Sequence, residues 1–579
     1  MANQPNNYFV NDIGNYPIKI LALGGLDEMG KNCYVIEIDN DAFIIEAGLK
    51  YPTRNIPGVD IIIPDFDYLR NIANKVRGII ITHGHDDQYG ALPYMLNIVK
   101  APIIATKTTI AIIKANYKKN HNIEKAQFVE VKPSSHVEIA KHVFELFQTS
   151  HSVAESFGFA LKTRFGNIVY TSDYITDYSP LKGFQFDLPK VARLSETDKT
   201  FLLLTESESA DKPGIASPNH KLGDILKEEI EILKGKMFIS IYNQNFYNIQ
   251  EVINTCKKYR KYIVIADPEQ QTFFEEMAAI GDIAIPSEML VSLHDINKIA
   301  PTDLVILVTG SGDALFRYCK EICYGNVRNL KVETNDTWIN AAPSVPGTEI
   351  IHTEACDTMY RTDCHVVNLT RKQISSMHAQ QEDLKMMLSL MRPKYYMPVK
   401  GEYRLLMANA QIAMNLGIGL NHTNCFVFDN GMALCFDKDG KPVNKIINVR
   451  NGDIMVDGAS VGEVKESAIE ERQKMADGGV VLIGVAISSK NKAIVSNPDI
   501  QMRGFVYIKE SQPILDQLNA IISTGINNYF NSEKKTSLTD VSLKLSDKCG
   551  KGLSKLTQKE PRVIVKIIDV DSLVEIDPR

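Results

Sequence analysis

The apolar and polar positions of the chain change rhythm twice, giving three regions. Over about the first 200 residues they fall in runs of strand length: "IKILALGG", "CYVIEI", "AFIIEAG", "RGIIITHG", "PIIATK", "HVFELFQTSH", "FGFALKTR" and "NIVYTSD". Each run is apolar or alternating and is bounded by Gly, Asn, Asp or Pro, which predicts β-strands. "ALPYMLNIV" and "TTIAIIKANYKKN" carry helical patterns between them. Several strands close on His or Asp, so polar ligands are expected at a sheet edge.

Between about 200 and 370 strand and helix alternate, from "TFLLLTE" and "KLGDILKEEIEILK" through "KMFISIY", "NIQEVINTCKKYRK", "YIVIAD" and "QQTFFEEMAAI" to "LVILVTGSG" and "ALFRYCKEI". That order predicts an α/β region with a mostly parallel sheet. A further helix and strand follow at "QEDLKMMLSLM" and "KYYMPVKGEY". From about 445 the Gly- and Asp-rich "NGDIMVDGASVGEV" leads into "GGVVLIGVAIS", "GFVYIKE", a helix around 513–531 and a last strand, "RVIVKIIDV". This predicts a small α+β domain. Its segment 533–566 holds nine Lys or Arg against four Asp or Glu, read as a solvated face with an RNA or partner contact as the alternative.

Composition narrows the classes. A chain of 579 residues exceeds one core, and roughly two to four domains are expected. Hydrophobic content of 44% and charged content of 23% exclude disordered and fibrous classes. The net charge of -6 gives no overall positive coat for nucleic acid, although a local basic groove stays open. Nine cysteines, with no Cys-x-x-Cys pair and no basic-then-apolar leader, predict reduced thiols in a cytoplasmic protein. No run of about 18 apolar residues occurs, so no membrane span is predicted.

The chemistry concentrates in "THGHDDQYG". His83, His85 and Asp87 stand at alternate positions after a strand, with Gly84 available for a tight turn. Neutral imidazole and carboxylate suit zinc or manganese. His151 in "QTSHSVAESFG" and Asp173 in "VYTSDY" add ligands at two further strand ends, and Asp173 has the chemistry to bridge two ions.

With "LGGLDEMGKNCYVIE", "EAGLKYP", "VDIIIPD", "TESESADKPG", "VTGSGD", "PSVPGTE", "HAQQEDLKMMLSLMRPKYYMPVKGEYR" and "RGFVYIKES", these stretches resemble ribonuclease J, in the β-CASP branch of the metallo-β-lactamase superfamily, through nearly the whole chain. The resemblance implies an α/β protein with a metallo-β-lactamase αββα sandwich split over 1–205 and 371–445. A β-CASP α/β domain, 206–370, is inserted, and 446–579 form a linker and a small C-terminal α+β domain. It further implies 5′-to-3′ exo- and endonucleolytic action on RNA in mRNA decay and rRNA processing. The expected assembly is a homo-oligomer, or a hetero-oligomer with a paralogue, in the bacterial cytoplasm.

Carried over by position, the first ion takes His83, His85 and His151, bridged by Asp173. The second would take Asp87, the residue after it, Asp173 and a His of "PVHGE". Here those positions hold Gln88 and, in "PVKGE", Lys400. An amide is a poorer ligand than imidazole, and an ammonium repels a cation. One zinc ion is therefore expected rather than two, with manganese or magnesium as alternatives. Lys400 is read as an ammonium that replaces the second ion beside Asp87 and Asp173.

Asp87 is assigned to orient water and His378 to protonate the leaving group. Glu46, one methylene longer than the family's Asp, and Glu206 support the site. In "ISSMH", Ile374 and Met377 replace a polar residue and a glycine near phosphate. Ser376 and, in "VTGSGD", Ser311 are expected RNA contacts. His121, His136 and His142 match no motif, and Trp338 is expected to pack. Two readings follow: a ribonuclease of reduced activity, or a non-catalytic RNA-binding or scaffold subunit beside an active paralogue.

Overall fold

The computed structural model describes residues 10, 13–52, 56, 58–216, 222–281, 283–345, 347–370, 373–374, 377–443, 445, 447–458, 466–505, 512–532 and 536–572. They fall into two compact units. One comprises 1–53 with 61–454, the other 54–60 with 455–579.

The larger unit is built on two facing sheets and a third beyond them. The first sheet has eight strands, running Ile447–Asn448, Met432–Phe436, Ile18–Gly24, Cys33–Ile38, Asp41–Ile45, Val76–Ile80, Ile103–Thr106 and Phe128–Val131. The second has six: Tyr395–Pro398, Thr200–Thr205, Gly166–Tyr170, Phe157–Thr163, His142–Gln148 and His136–Ile139. Strands Ile18–Gly24 and Thr200–Thr205 are buried along their whole length; the second has an unbroken apolar centre, and the first buries Lys19 by pairing it with Glu37 at 3.0 Å.

Ile20, Tyr34, Phe43 and Ile45 from the first sheet share one core with Phe144, Phe159, Tyr170 and Leu204 from the second. The outer face of the second sheet packs Val169, Leu203 and Tyr396 against Leu194, Met387, Leu388 and Ala413 of three helices, Leu188–Thr197, Gln381–Met391 and Tyr403–Asn415. The helix Lys107–Asn116 packs on Ile103–Thr106 and Phe128–Val131 of the first sheet, so helix, two sheets and helix give the αββα sandwich. Thr200–Thr205 and Tyr395–Pro398 pair in parallel, so the chain returns to this sandwich after an excursion of nearly 190 residues.

The excursion holds an all-parallel five-stranded sheet, in the order Tyr262–Ile265, Leu304–Gly310, Met237–Tyr242, Thr337–Asn340 and His365–Asn368. Trp338 is buried in its core, stacked on Phe238 at 5.0 Å. Its indole N–H donates to Ser240 Oγ at 3.2 Å, so the residue packs as expected.

In the smaller unit the central strand Val480–Ser488 pairs with Asp499–Arg503, Ala493–Ile494 and Arg562–Asp569. Helices Gln512–Phe530 and Leu538–Thr557 cover one face. The second helix lies inside the basic run. Its Val541, Leu545, Cys549 and Leu553 recur every four residues and are buried, while Lys544, Lys548, Lys551 and Lys555 face outward. The four lysines of the run that lie on this helix form one face of an amphipathic helix. Among the described residues no helix is long and apolar enough to cross a membrane.

Candidate metal centre

The strand Val76–Ile80 delivers Thr82, His83 and His85 to the sheet edge, and the short helix Asp86–Tyr89 follows. Two glycines shape this turn by close packing. Gly84 lies in the bend that follows the strand, and a Cβ there would lie 2.5 Å from Ile112 Cδ1. Gly48 lies still closer, since its Cβ would meet the Asp87 carbonyl oxygen at 1.7 Å. Bare backbone at this point lets Ala47 N–H donate to Gln88 O at 2.6 Å and Leu49 N–H to Asp86 O at 3.0 Å.

Four donor atoms converge. His83 Nε2 is 3.3 Å from Asp173 Oδ2, His151 Nε2 is 3.8 Å from the same oxygen, and His85 Nδ1 is 3.2 Å from His151 Nε2. Tetrahedral ligands at zinc bond lengths of about 2.0–2.2 Å lie about 3.3–3.6 Å apart, and these spacings are within a few tenths of an ångström of that range. The far side of each ring is occupied. His151 Nδ1 is 2.8 Å from the Met377 carbonyl, His85 Nε2 is 2.9 Å from Ser152 Oγ, and His83 Nδ1 is 3.1 Å from Thr82 Oγ1. Such contacts fix which nitrogen presents its lone pair. His83 Nε2 is buried without a well-aligned hydrogen-bond partner, as a ligand awaiting a cation would be. Burial lowers the pKa of all three imidazoles, which keeps them neutral and able to coordinate.

Glu46 acts one step behind. Its carboxylate accepts from Thr82 N–H at 3.2 Å and Thr82 Oγ–H at 2.5 Å, and the Thr82 hydroxyl faces His83 and Ser172. Glu46 thus positions His83 through Thr82. Burial pushes its carboxyl up to about 8, against the opposing pull of Lys400 and Thr82.

The second set of positions presents donors where ligands are needed. Lys400 Nζ is ion-paired with Asp173 Oδ1, and both side chains are buried. Gln88 directs its amide N–H2 to Asp87 Oδ2 at 2.8 Å and Asp173 Oδ2 at 3.4 Å, while its Oε1 is buried without a partner. Asn32 Nδ2 also donates to Asp87 Oδ2, at 2.9 Å. A second cation does not fit this arrangement. Burial works against ionising Asp173, yet Lys400 and His83 hold its carboxyl well below the usual range. Burial raises Asp87 to about 7, against Lys400.

His378 completes the site. Its Nδ1 is 2.7 Å from Glu206 Oε2 and its Nε2 is 3.2 Å from Glu208 Oε2. Burial opposes its charge, but Glu208 and then Glu206 outweigh it and push the imidazolium up to about 10. Ser311, Ile374, Met377 and His378 border a cavity of about 370 Å³ that also touches His85 and His151. Ser376 lies outside the described residues. His121, His136 and His142 lie apart from the four-ligand group, and His142 pairs with Asp41 at 3.1 Å. Sequence reasoning missed Glu208, Asn32, Thr82 and Ser152. Only Glu208 left a signal, as a second acid two residues after Glu206.

The fold and donor set define a metallo-hydrolase of the β-lactamase type with an inserted α/β domain. Residues 26–196 match the metallo-β-lactamase superfamily and 234–359 the ribonuclease J β-CASP domain. Residues 365–424 match the zinc-dependent metallo-hydrolase RNA specificity domain, and 467–570 the ribonuclease J C-terminal domain. The chain belongs to the ribonuclease J family. It is similar to ribonuclease J 2 of Staphylococcus aureus strain NCTC 8325 / PS 47, with 28% identity over 96% of this chain and 99% of that one. Ribonuclease J 2 of Staphylococcus epidermidis strain ATCC 35984 matches with the same identity and coverage. A crystal structure of a protein of unknown function from Enterococcus faecalis V583 shares the fold, with a TM-score of 0.50 and 13% identity, over 72% of this chain and all of that one.

Proposed function

We propose that this protein is a metal-dependent ribonuclease whose centre takes one ion, held by His83, His85, His151 and Asp173, with the Lys400 ammonium in place of a second. The observation that carries the reading is the contrast between four converging lone-pair donors and the two N–H groups of Lys400 and Gln88. Zinc suits the three imidazoles and one carboxylate, and manganese or magnesium are the alternatives. RNA as substrate rests on the RNA specificity match at 365–424 and on the family.

A bound divalent cation supplies a Lewis acid and lowers the pKa of water. The chain's own groups supply the rest. Asp87, with Oδ2 fixed by Asn32 and Gln88, orients the attacking water and takes its proton. Lys400 keeps one positive charge beside Asp173 without demanding ligands. His378, anchored by Glu206, protonates the leaving oxygen from Nε2. The intact first set supports activity, and the missing second ion supports a reduced rate. Domain limits at 205, 370 and 445, a homo-oligomer or pairing with a paralogue, and a cytoplasmic setting complete the reading. Nine unpaired cysteines accord with that setting.

The occupied nitrogens of His378 favour a second reading, a non-catalytic RNA-binding or scaffold subunit. The experiment is cleavage of RNA by purified protein with zinc, manganese or magnesium, beside Asp173→Ala and His83→Ala. Metal-dependent cleavage lost in both variants establishes the enzyme. No cleavage alone, but altered cleavage by an added active paralogue, establishes the subunit.

A further inference from the structure

The two acids that hold His378 are not equivalent. Glu206 is buried, and its Oε1 accepts the N–H groups of Tyr174 at 2.8 Å and Ala379 at 3.1 Å. It is a fixed anchor for Nδ1. Glu208 is partly exposed and borders the 370 Å³ cavity together with His85, His151, Ser152 and Lys212. Its carboxylate faces Nε2, the nitrogen left for a substrate once Nδ1 is anchored.

We infer that Glu208 is a specificity-determining residue whose carboxylate holds the seat on His378 Nε2 that an RNA phosphate or leaving oxygen must take. A phosphodiester is an anion that accepts hydrogen bonds, as a carboxylate is. The two compete for one N–H, and like charge keeps them apart. RNA therefore enters the centre only by displacing Glu208. This deepens the ribonuclease reading and rests on it, because the competitor is taken to be an RNA phosphate.

The test reads binding, separately from cleavage. Full-length protein in EDTA is titrated into a fluorescently labelled single-stranded RNA. The parent is compared with Glu208→Gln, Glu208→Thr, His378→Gln and the Glu208→Gln, His378→Gln double variant, each checked for an intact melting transition. Freeing the His378 N–H that Glu208 occupies gives the phosphate one charge-assisted hydrogen bond, which tightens binding on the order of tenfold. The expected result is that gain in both Glu208 variants, and its loss when His378 is also replaced. Equal or weaker binding by the Glu208 variants overturns the inference, as does a gain that persists without His378. Absence of RNA binding in every variant overturns it as well. Tighter binding without metal-dependent cleavage leaves the role of Glu208 standing and removes only the ribonuclease reading.

Discussion

Lys400 and Asp173 form an ion pair whose side chains are 0% and 1% exposed. The pair exists because the backbone after Tyr395–Pro398 turns through a left-handed residue, Lys400 at φ 57°, anchored by its N–H to Gly25 O at 3.0 Å. The turn aims the ammonium at the centre. Asp173, Asp87 and Glu46 all feel its charge.

Lys400→Ala is expected to strand those carboxylates. Breaking a buried pair from one side costs about 3–5 kcal/mol. The melting temperature in EDTA falls accordingly. Manganese restores more of it in the variant than in the parent, because a cation then has a vacated seat to fill. Thermal scans with and without metal measure both effects.

Glu46→Ala is expected to act on metal rather than on RNA. Thr82 loses the acceptor that holds it, and His83 loses its orientation. Losing such a supporting contact weakens metal binding by about 10–100-fold. Calorimetric titration with zinc checks the value, and RNA affinity in EDTA stays at the parent level.

Gly48→Ala is expected to misfold the turn at His85–Asp87. The new Cβ would stand 1.7 Å from a backbone oxygen, which no rotamer relieves. A lowered melting temperature together with lost metal binding is the expected signature.

His378 carries a pH dependence of known sign. Against the cost of burial, Glu208 and Glu206 raise its pKa from the ordinary 6.5 to about 10, so the folded state binds the proton more tightly. The stability it contributes is fully present below 6.5 and is lost as pH rises through about 10. Melting temperatures of the parent and His378→Gln, compared at pH 6, 8 and 10, are expected to converge as pH rises. A constant difference contradicts the assignment.

Much of the centre was legible because its ligands sit in short local strings. "HGHDDQ" and "PVKGE" name five of the residues that meet, and the order of strands implies the sheet edge that gathers them. What escaped depends on long-range packing. Gly84 reads as a turn residue, and only the fold sets Ile112 against it as well. Glu208 has no assigned role in the sequence, and it gains one only where the segment before the helix Gln381–Met391 brings His378 onto it. The helix Leu538–Thr557 was hidden because its outward lysines dominate the composition, while its four-residue apolar repeat is sparse. Among the described residues, 56 and 58–60 group with the C-terminal unit, and no local pattern announces that.

The most direct measurement is the number of metal ions bound per chain, by elemental analysis after equilibration with zinc, for the parent and for Gln88→His, Lys400→His. One ion in the parent and two in the double variant is the result predicted for a centre whose second cation is Lys400. Two ions in the parent, or no more in the variant than in the parent, would contradict it.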